Sequence, residues 1–453
     1  MATLASILTN QFFLLFAAIT TGMLLGRIKI GNFSLGVSGG IFTGIAIGFF
    51  VTAWAKMVQE GGIGYGNAAG ILKTGVIAQA FFTFFLFLFL VSIGLRVGKS
   101  IGMIFKKYGI KFVIIGAMIP CISMIVMAVS MGMLVKKNNN ISSYEAIGMY
   151  AGSMTSTPAY GTALDAAAGI DVESLYVEAD ENGKQKILSK IDGGLKAESV
   201  ETLSDEQISA YKSAAESGIS LGYTVGFPFG VLVIVILMSV IPKLFRIDIE
   251  KEMELFETEI ASVRNVKDSI PSGKLDFVAI GITVMVGYAV GSITIPLGDF
   301  GSFSLGGAGG ILLAALVLSH IGKIGPVSFR MDDKSLGIMS NMGLTFFMAV
   351  VGLRYGYDVI NALTGSGLVL AISAVFVEAI AVFAAFFVGR KLFGLNWIIL
   401  SGAICGGCTS APGLGAAISS VGSDEPSTGY GAAQPFAILA NVLLTTIFFS
   451  IVL

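Results

Sequence analysis

Gly152-Ser153-Met154-Thr155-Ser156-Thr157-Pro158-Ala159-Tyr160-Gly161 recurs in the second half of the chain as Gly406-Gly407-Cys408-Thr409-Ser410-Ala411-Pro412-Gly413-Leu414-Gly415. With Gly152 set on Gly406, the copies share Gly, Thr, Ser, Pro and Gly at matching positions. Both lie in apolar surroundings, where freed backbone groups and a helix-breaking proline are tolerated only against protein or a wet cavity. Each copy therefore reads as a broken or re-entrant helix whose tip sits at membrane depth. Half-helix N-termini favour negative charge, so exposed amides and hydroxyls at such tips suit a small anion.

The composition agrees with a membrane location. Of 453 residues, 55% are hydrophobic and 13% charged, about half the charged share of a soluble domain. Mean hydropathy is +0.85. A formal net charge of −1 leaves no basic face for nucleic acid. Three cysteines make no disulfide framework; Cys405 and Cys408 have redox or metal spacing, but the first copy has Ala151 and Met154 there, so they read as packing residues and no metal is expected. Residues 1–10 carry no positive charge before the apolar run and read as a retained first helix rather than a signal peptide.

A span needs about 20 apolar residues. Such runs lie near 11–30, 36–58, 74–98, 110–135 and 219–242, with the first tip at 143–168. They restart near 275–296, 303–321, 335–357, 366–390 and 428–452, with the second tip at 396–420. Three further matches fall in the same order: Phe33-Ser34-Leu35-Gly36 with Phe303-Ser304-Leu305-Gly306, Gly94-Leu95-Arg96 with Gly352-Leu353-Arg354, and Gly222-Tyr223 plus Pro228-Phe229 with Gly429-Tyr430 plus Pro435-Phe436. Lysine and arginine concentrate in short cytoplasmic loops, and only an inverted second half keeps most of them on one side, with both termini outside.

The expected fold is thus an all-α polytopic membrane protein of two inverted structural repeats, each about five transmembrane helices plus one re-entrant or broken helix. Residues 1–245 form the first repeat, 246–274 a cytoplasmic linker, and 275–453 the second. A charged insert near 170–216 reads as a solvated extracytoplasmic excursion, and Glu250 to Glu257 as an amphipathic linker helix. Glycines at 36, 40, 44 and 48, echoed by Gly306, Gly310 and Ala314, form a ridge for close helix packing, in a scaffold or a subunit interface.

The candidate substrate-binding residues are Thr155, Ser156, Thr157, Pro158, Thr409, Ser410 and Pro412 at the tips. Arg354, isolated on a side that avoids positive charge, is a candidate for binding a carboxylate or for snorkelling to the headgroups, whereas Arg96 lies among other basic residues and reads as snorkelling. Glu378, alone in an apolar run, reads as a proton-coupling group or as a neutral structural carboxyl. Carbonyls freed near Pro158 and Pro412 leave a sodium ion possible. An intramembrane enzyme would need a nucleophile with its base, or metal ligands, and no such set stands out.

Together the two tips, the Gly-Leu-Arg segments and the Gly-Tyr-x4-Pro-Phe helices resemble the aspartate:alanine exchanger family of bacterial transporters. The resemblance covers both halves apart from the insert and linker. It implies a secondary transporter in the bacterial cytoplasmic membrane that exchanges small carboxylates, either acidic amino acids such as aspartate against alanine, or dicarboxylates, and it implies a homodimer. The more distant likeness to sodium:glutamate symporters keeps a sodium- or proton-coupled symporter as the alternative.

Overall fold

The structure is a computed structural model that describes residues 2–28, 39–135, 141–191, 194–261, 273–296, 302–303, 305–362 and 367–452. The first copy of the Phe-Ser-Leu-Gly motif, at 33–36, and the linker residues 262–272 lie outside that range. The first half runs α1 (Ala2–Leu8), α2 (Gln11–Arg27), α3 (Gly39–Met57), α4 (Tyr65–Thr74), α5 (Gln79–Val135), α6 (Ser143–Ser153), α7 (Thr157–Ala168), α8 (Val172–Glu178), α9 (Glu181–Ile191) and α10 (Asp205–Leu244). The linker contributes α11 (Ile249–Ala261). The second half runs α12 (Phe277–Ser292), α13 (Gly306–Ile321), α14 (Asp333–Ala362), α15 (Gly367–Phe387), α16 (Trp397–Gly407), α17 (Ala411–Val421) and α18 (Pro426–Val452).

Strand among the described residues is confined to two-residue hairpins, Ile295–Pro296 with Ser302–Phe303 and Lys323–Ile324 with Val327–Ser328. The chain is an all-α polytopic membrane protein. Among the described residues seven helical stretches are long and apolar enough to cross a bilayer, and α2, α12, α13, α16 and α17 are shorter apolar helices. Local chemistry sets the starts: Asn10 caps α2, Asp276 caps α12, and Ser204 with Gln207 forms a capping box on α10.

Helix α5 is continuous over 57 residues, about 85 Å if straight and far longer than a bilayer is thick. It folds back on itself between its two apolar limbs, Gln79–Arg96 and Lys106–Ser130. The first limb lies antiparallel to α14: Lys99 pairs with Asp333, Phe89 meets Gly343, and Phe82 stacks on Phe347. The second limb runs alongside α18 in the same direction, with Gly116 on Ala433 and the Pro120 carbonyl near Asn441, both reached by Tyr150. The limb ending in Gly94-Leu95-Arg96 and the helix carrying Gly352-Leu353-Arg354 thus lie side by side in opposite directions.

Two details differ from the sequence reading. The charged insert ends sooner than expected, because its last residues, from Asp205, form the first turns of α10. The glycine ridge of α3 is covered within the chain, since Gly40, Gly44 and Gly48 press on Ala349, Gly352 and Leu353 of α14. Lacking side chains, those glycines let two backbones touch, and the ridge is spent on internal packing rather than left for a second subunit.

Candidate substrate site

The two broken helices are hairpins, α6–α7 and α16–α17, that meet tip to tip. In each, the chain leaves the first helix through a threonine with left-handed backbone, Thr155 at φ 48° and Thr409 at φ 50°. The next two amides turn back identically, Thr155 N to Gly152 O and Ser156 N to Ala151 O against Thr409 N to Gly406 O and Ser410 N to Cys405 O. Ser156 and Ser410 then cap the second helices by accepting from Ala159 N at 3.3 Å and Gly413 N at 3.2 Å. Across the junction, Thr155 Oγ1 donates to the carbonyl of Cys408 at 3.2 Å and Thr409 Oγ1 donates to that of Met154 at 2.7 Å.

The expected tip hydroxyls therefore divide by task. Ser156 and Ser410, fully buried, are helix caps. The Thr155 and Thr409 hydroxyls tie one tip to the other, while both residues also border an adjoining cavity of about 440 Å³. Thr157, Pro158, Ala411 and Pro412 line the same cavity, so the first turns of α7 and α17 open onto it. Among the described residues neither Thr157 N nor Ala411 N has a protein acceptor, and the prolines that follow have no amide hydrogen to place there.

A third helix start also faces the cavity. Leu305 to Gly309, at the beginning of α13, line it, and Leu305 offers no side-chain cap. The sequence reading had taken this Gly-rich stretch for packing.

Aromatic rings and amides make the rest of the wall. Tyr160 stacks on Tyr223 at 4.2 Å, Phe227 lies 4.8 Å from Tyr355, and Gln434 donates to the Tyr430 hydroxyl at 3.0 Å. Gln79 and Phe82 close the side against α5. Among the described residues no charged side chain lines the cavity. Three helix N-termini are thus its main source of positive potential, which favours a small anion with apolar surface.

Arg354 is not part of this wall. Its Nη1 donates to Ile77 O at 2.9 Å, and the neighbouring Tyr355 is what reaches the cavity. Arg96, its repeat mate, pairs with Asp424 just beyond the second hairpin rather than simply snorkelling. Glu378 is fully buried on α15 behind the second tip, with its carboxyl against the Cys408 thiol. An uncompensated carboxylate there would cost several kcal/mol.

The hairpin bases are clamped differently. Ser142 and Glu145 form a capping box at the start of α6, over which Lys190 of the insert lies 4.5 Å from the Tyr144 ring. At the start of α16, Glu252 of the linker helix receives Arg390 at 2.8 and 3.0 Å and the Trp397 amide at 2.7 Å, while Asn396 donates to its backbone carbonyl.

A family model described as a predicted permease membrane region matches residues 14–243 and 279–450. Among curated proteins, an uncharacterized transporter of Bacteroides thetaiotaomicron is 36% identical over 177 residues, 39% of this chain and 33% of that one. One of Rhodopirellula baltica is 34% identical over 165 residues, 36% of this chain and 30% of its own. A third, from Geobacter sulfurreducens, is 31% identical over 175 residues, 38% and 32% of the two chains. The matched stretch spans about a third of the length of each of these relatives.

Proposed function

We propose a transport cycle from one premise: the chain belongs to the aspartate:alanine exchanger family of predicted permease membrane regions, which matches it in both halves. In our reading it is a secondary transporter that exchanges small carboxylates, acidic amino acids or dicarboxylates, across a bacterial cytoplasmic membrane. The observation that carries this is the cavity beside the joined tips, open to the starts of α7, α13 and α17 and lined by no charged side chain. A carboxylate fits there because aligned peptide dipoles stabilise it without a fixed counter-ion, so it is held firmly enough to be selected and loosely enough to leave.

The two inverted repeats, 1–245 and 275–453 about the 246–274 linker, supply the moving parts. The tips would separate toward one side and then the other, each acting as a re-entrant gate, while α3 and α14 stay locked by their glycine contact. Thr155, Thr157, Thr409 and the turns at Pro158 and Pro412 are the groups we assign to the substrate; Ser156 and Ser410 shape the turns. Basic residues at the linker end, including Arg96, Lys99, Lys107 and Arg390, support a cytoplasmic placement of that end and an external placement of both termini.

Counterflow in proteoliposomes tests the reading. Vesicles are loaded in turn with unlabelled aspartate, alanine, glutamate or succinate, and uptake of labelled aspartate and of labelled succinate is followed with and without a sodium gradient. Saturable uptake that needs a luminal partner and ignores sodium is the expected result. Uptake into empty vesicles driven by sodium would replace exchange with symport, and the absence of any carboxylate flux would remove the reading.

A further inference from the structure

Glu378 is the one fully buried acidic side chain among the described residues, and nothing in the transport reading so far uses it. Its carboxyl lies against the thiol of Cys408, and no other described group bonds to its oxygens. Cys408 ends α16, and its carbonyl is the group that receives the Thr155 hydroxyl from the opposite tip. One residue thus stands between the carboxyl and the junction.

Among the described residues no cation faces the carboxyl: Arg390, in the turn that follows α15, pairs with Glu252. Helix α15 packs on α5, α6, α10, α14 and α16. Of the titrating groups on these elements, Cys405 and Cys408 face Glu378. Nearby groups are turned elsewhere, Tyr150 to Asn441, Glu145 to Ser142, Tyr223 to Tyr160, Tyr108 to Glu259 and Arg354 to Ile77, while Cys121 is exposed. In the arrangement seen, the carboxyl is compatible with its apolar setting only as the neutral acid.

We propose that Glu378 is a proton-binding positioning residue: with its proton it holds the second tip against the first through Cys408, and on losing the proton it releases that tip. In the releasing step the carboxyl O–H bond breaks, the proton passes along water admitted behind α16 to the bulk, and further water molecules solvate the carboxylate left behind. Nothing is oxidised or reduced. The inference rests on the exchange reading, because it assigns the proton to the opening of the same junction.

The test uses the full chain in two measurements. The first is counterflow at equal pH on both faces, from about pH 5.5 to about pH 8.5, for wild type, Glu378→Gln and Glu378→Asp. Wild type is expected to slow by up to about tenfold per pH unit on the acid limb, Glu378→Gln to stay at the slow rate throughout, and Glu378→Asp to keep the slope. The second is labelling of Cys408 by a membrane-permeant maleimide in a Cys121→Ser, Cys405→Ser background, with and without Glu378→Gln. A rise with pH that exceeds that of the Gln variant is expected.

Exchange whose pH profile survives Glu378→Gln, or labelling identical in the two backgrounds, overturns the proton role and leaves exchange standing. Labelling that depends on Glu378 in a protein that moves no carboxylate keeps the proton site and overturns the transport reading instead. Should the Gln variant fail to give monodisperse protein, the Asp variant carries the comparison: labelling with the wild-type dependence supports the proposal, and labelling insensitive to pH sinks it.

Discussion

The two hairpins are alike where they touch and in the glycines that seat them, and unlike in what stands at their backs and bases. At the junction the turns match bond for bond, and each threonine reaches the other's carbonyl. Behind the first tip, α6 lies on α10 through Gly148, Gly152, Gly222, Gly226 and Gly230, and the base is roofed by the insert. Behind the second, α16 lies on α18 through Gly402, Gly406 and Gly429, a buried carboxyl stands at its back, and the linker grips its base. On the proposed cycle, the duplicated parts are the ones that both faces would use, whereas the surroundings of each hairpin are its own.

The comparison breaks first at the glycines. A methyl on Gly406 would stand 2.5 Å from the Tyr430 carbonyl oxygen, and one on Gly152 would stand 2.7 Å from both the Phe227 amide and the Tyr223 carbonyl. Backbone cannot yield, so Gly152→Ala and Gly406→Ala should each destabilise by about 1–3 kcal/mol, seen as loss of monodisperse protein in detergent. Tolerance of one alone would show that the matched positions do not carry matched packing.

Next comes the clamp. Glu252→Gln keeps the shape but removes the charge that Arg390 and the Trp397 amide share, and should cost about 2 kcal/mol in thermal or denaturant unfolding. Lys190→Gln, over the first hairpin, should cost less, about 0.5–1 kcal/mol for a cation on a ring. Equal losses would remove the asymmetry of the two bases.

The junction itself is sharpened by Thr155→Val and Thr409→Val. Each leaves an opposing carbonyl without its donor, worth about 1 kcal/mol, so exchange should change by roughly five- to tenfold. The pair of substitutions should be less than additive, because the two bonds close one contact.

The smallest expected effect lies just past the second hairpin. Burial raises the Glu425 carboxyl to about 7, with Lys99 opposing, so the folded protein holds a proton that the unfolded chain releases near 4.5. That stabilisation is present in acid and is lost as pH rises through about 7. Glu425→Gln should therefore raise the melting temperature by a few degrees at alkaline pH and leave it unchanged in acid. An equal shift at both would show that the charge is already compensated.

Much of this arrangement was legible in residue order. Length and polarity of the apolar runs located the spans, and the paired Gly-Thr-Ser-Pro stretches located both breaks. What escaped was non-local. Nothing near Thr155 or Thr409 says that its hydroxyl is taken by the other half, since the partner lies more than two hundred residues away in the chain. The start of α13 was missed for a similar reason: glycines at 306, 307, 309 and 310 pack against neighbours and also leave amides open, and sequence reveals only the first use. The reversal within α5 left a trace in the basic residues Lys99, Lys106 and Lys107, but no break in the helix.

The left-handed threonines carry one more consequence. A β-branched residue resists positive φ, so Thr155 and Thr409 each hold about 1–2 kcal/mol of backbone tension while the tips are joined. On the proposed cycle, parting the tips would give up two hydrogen bonds and free both turns to relax, so the junction would act as a sprung catch, closed by a margin smaller than its bonds suggest. A ligand that adds or removes about 1 kcal/mol at the junction is then enough to shift the balance between shut and open about fivefold.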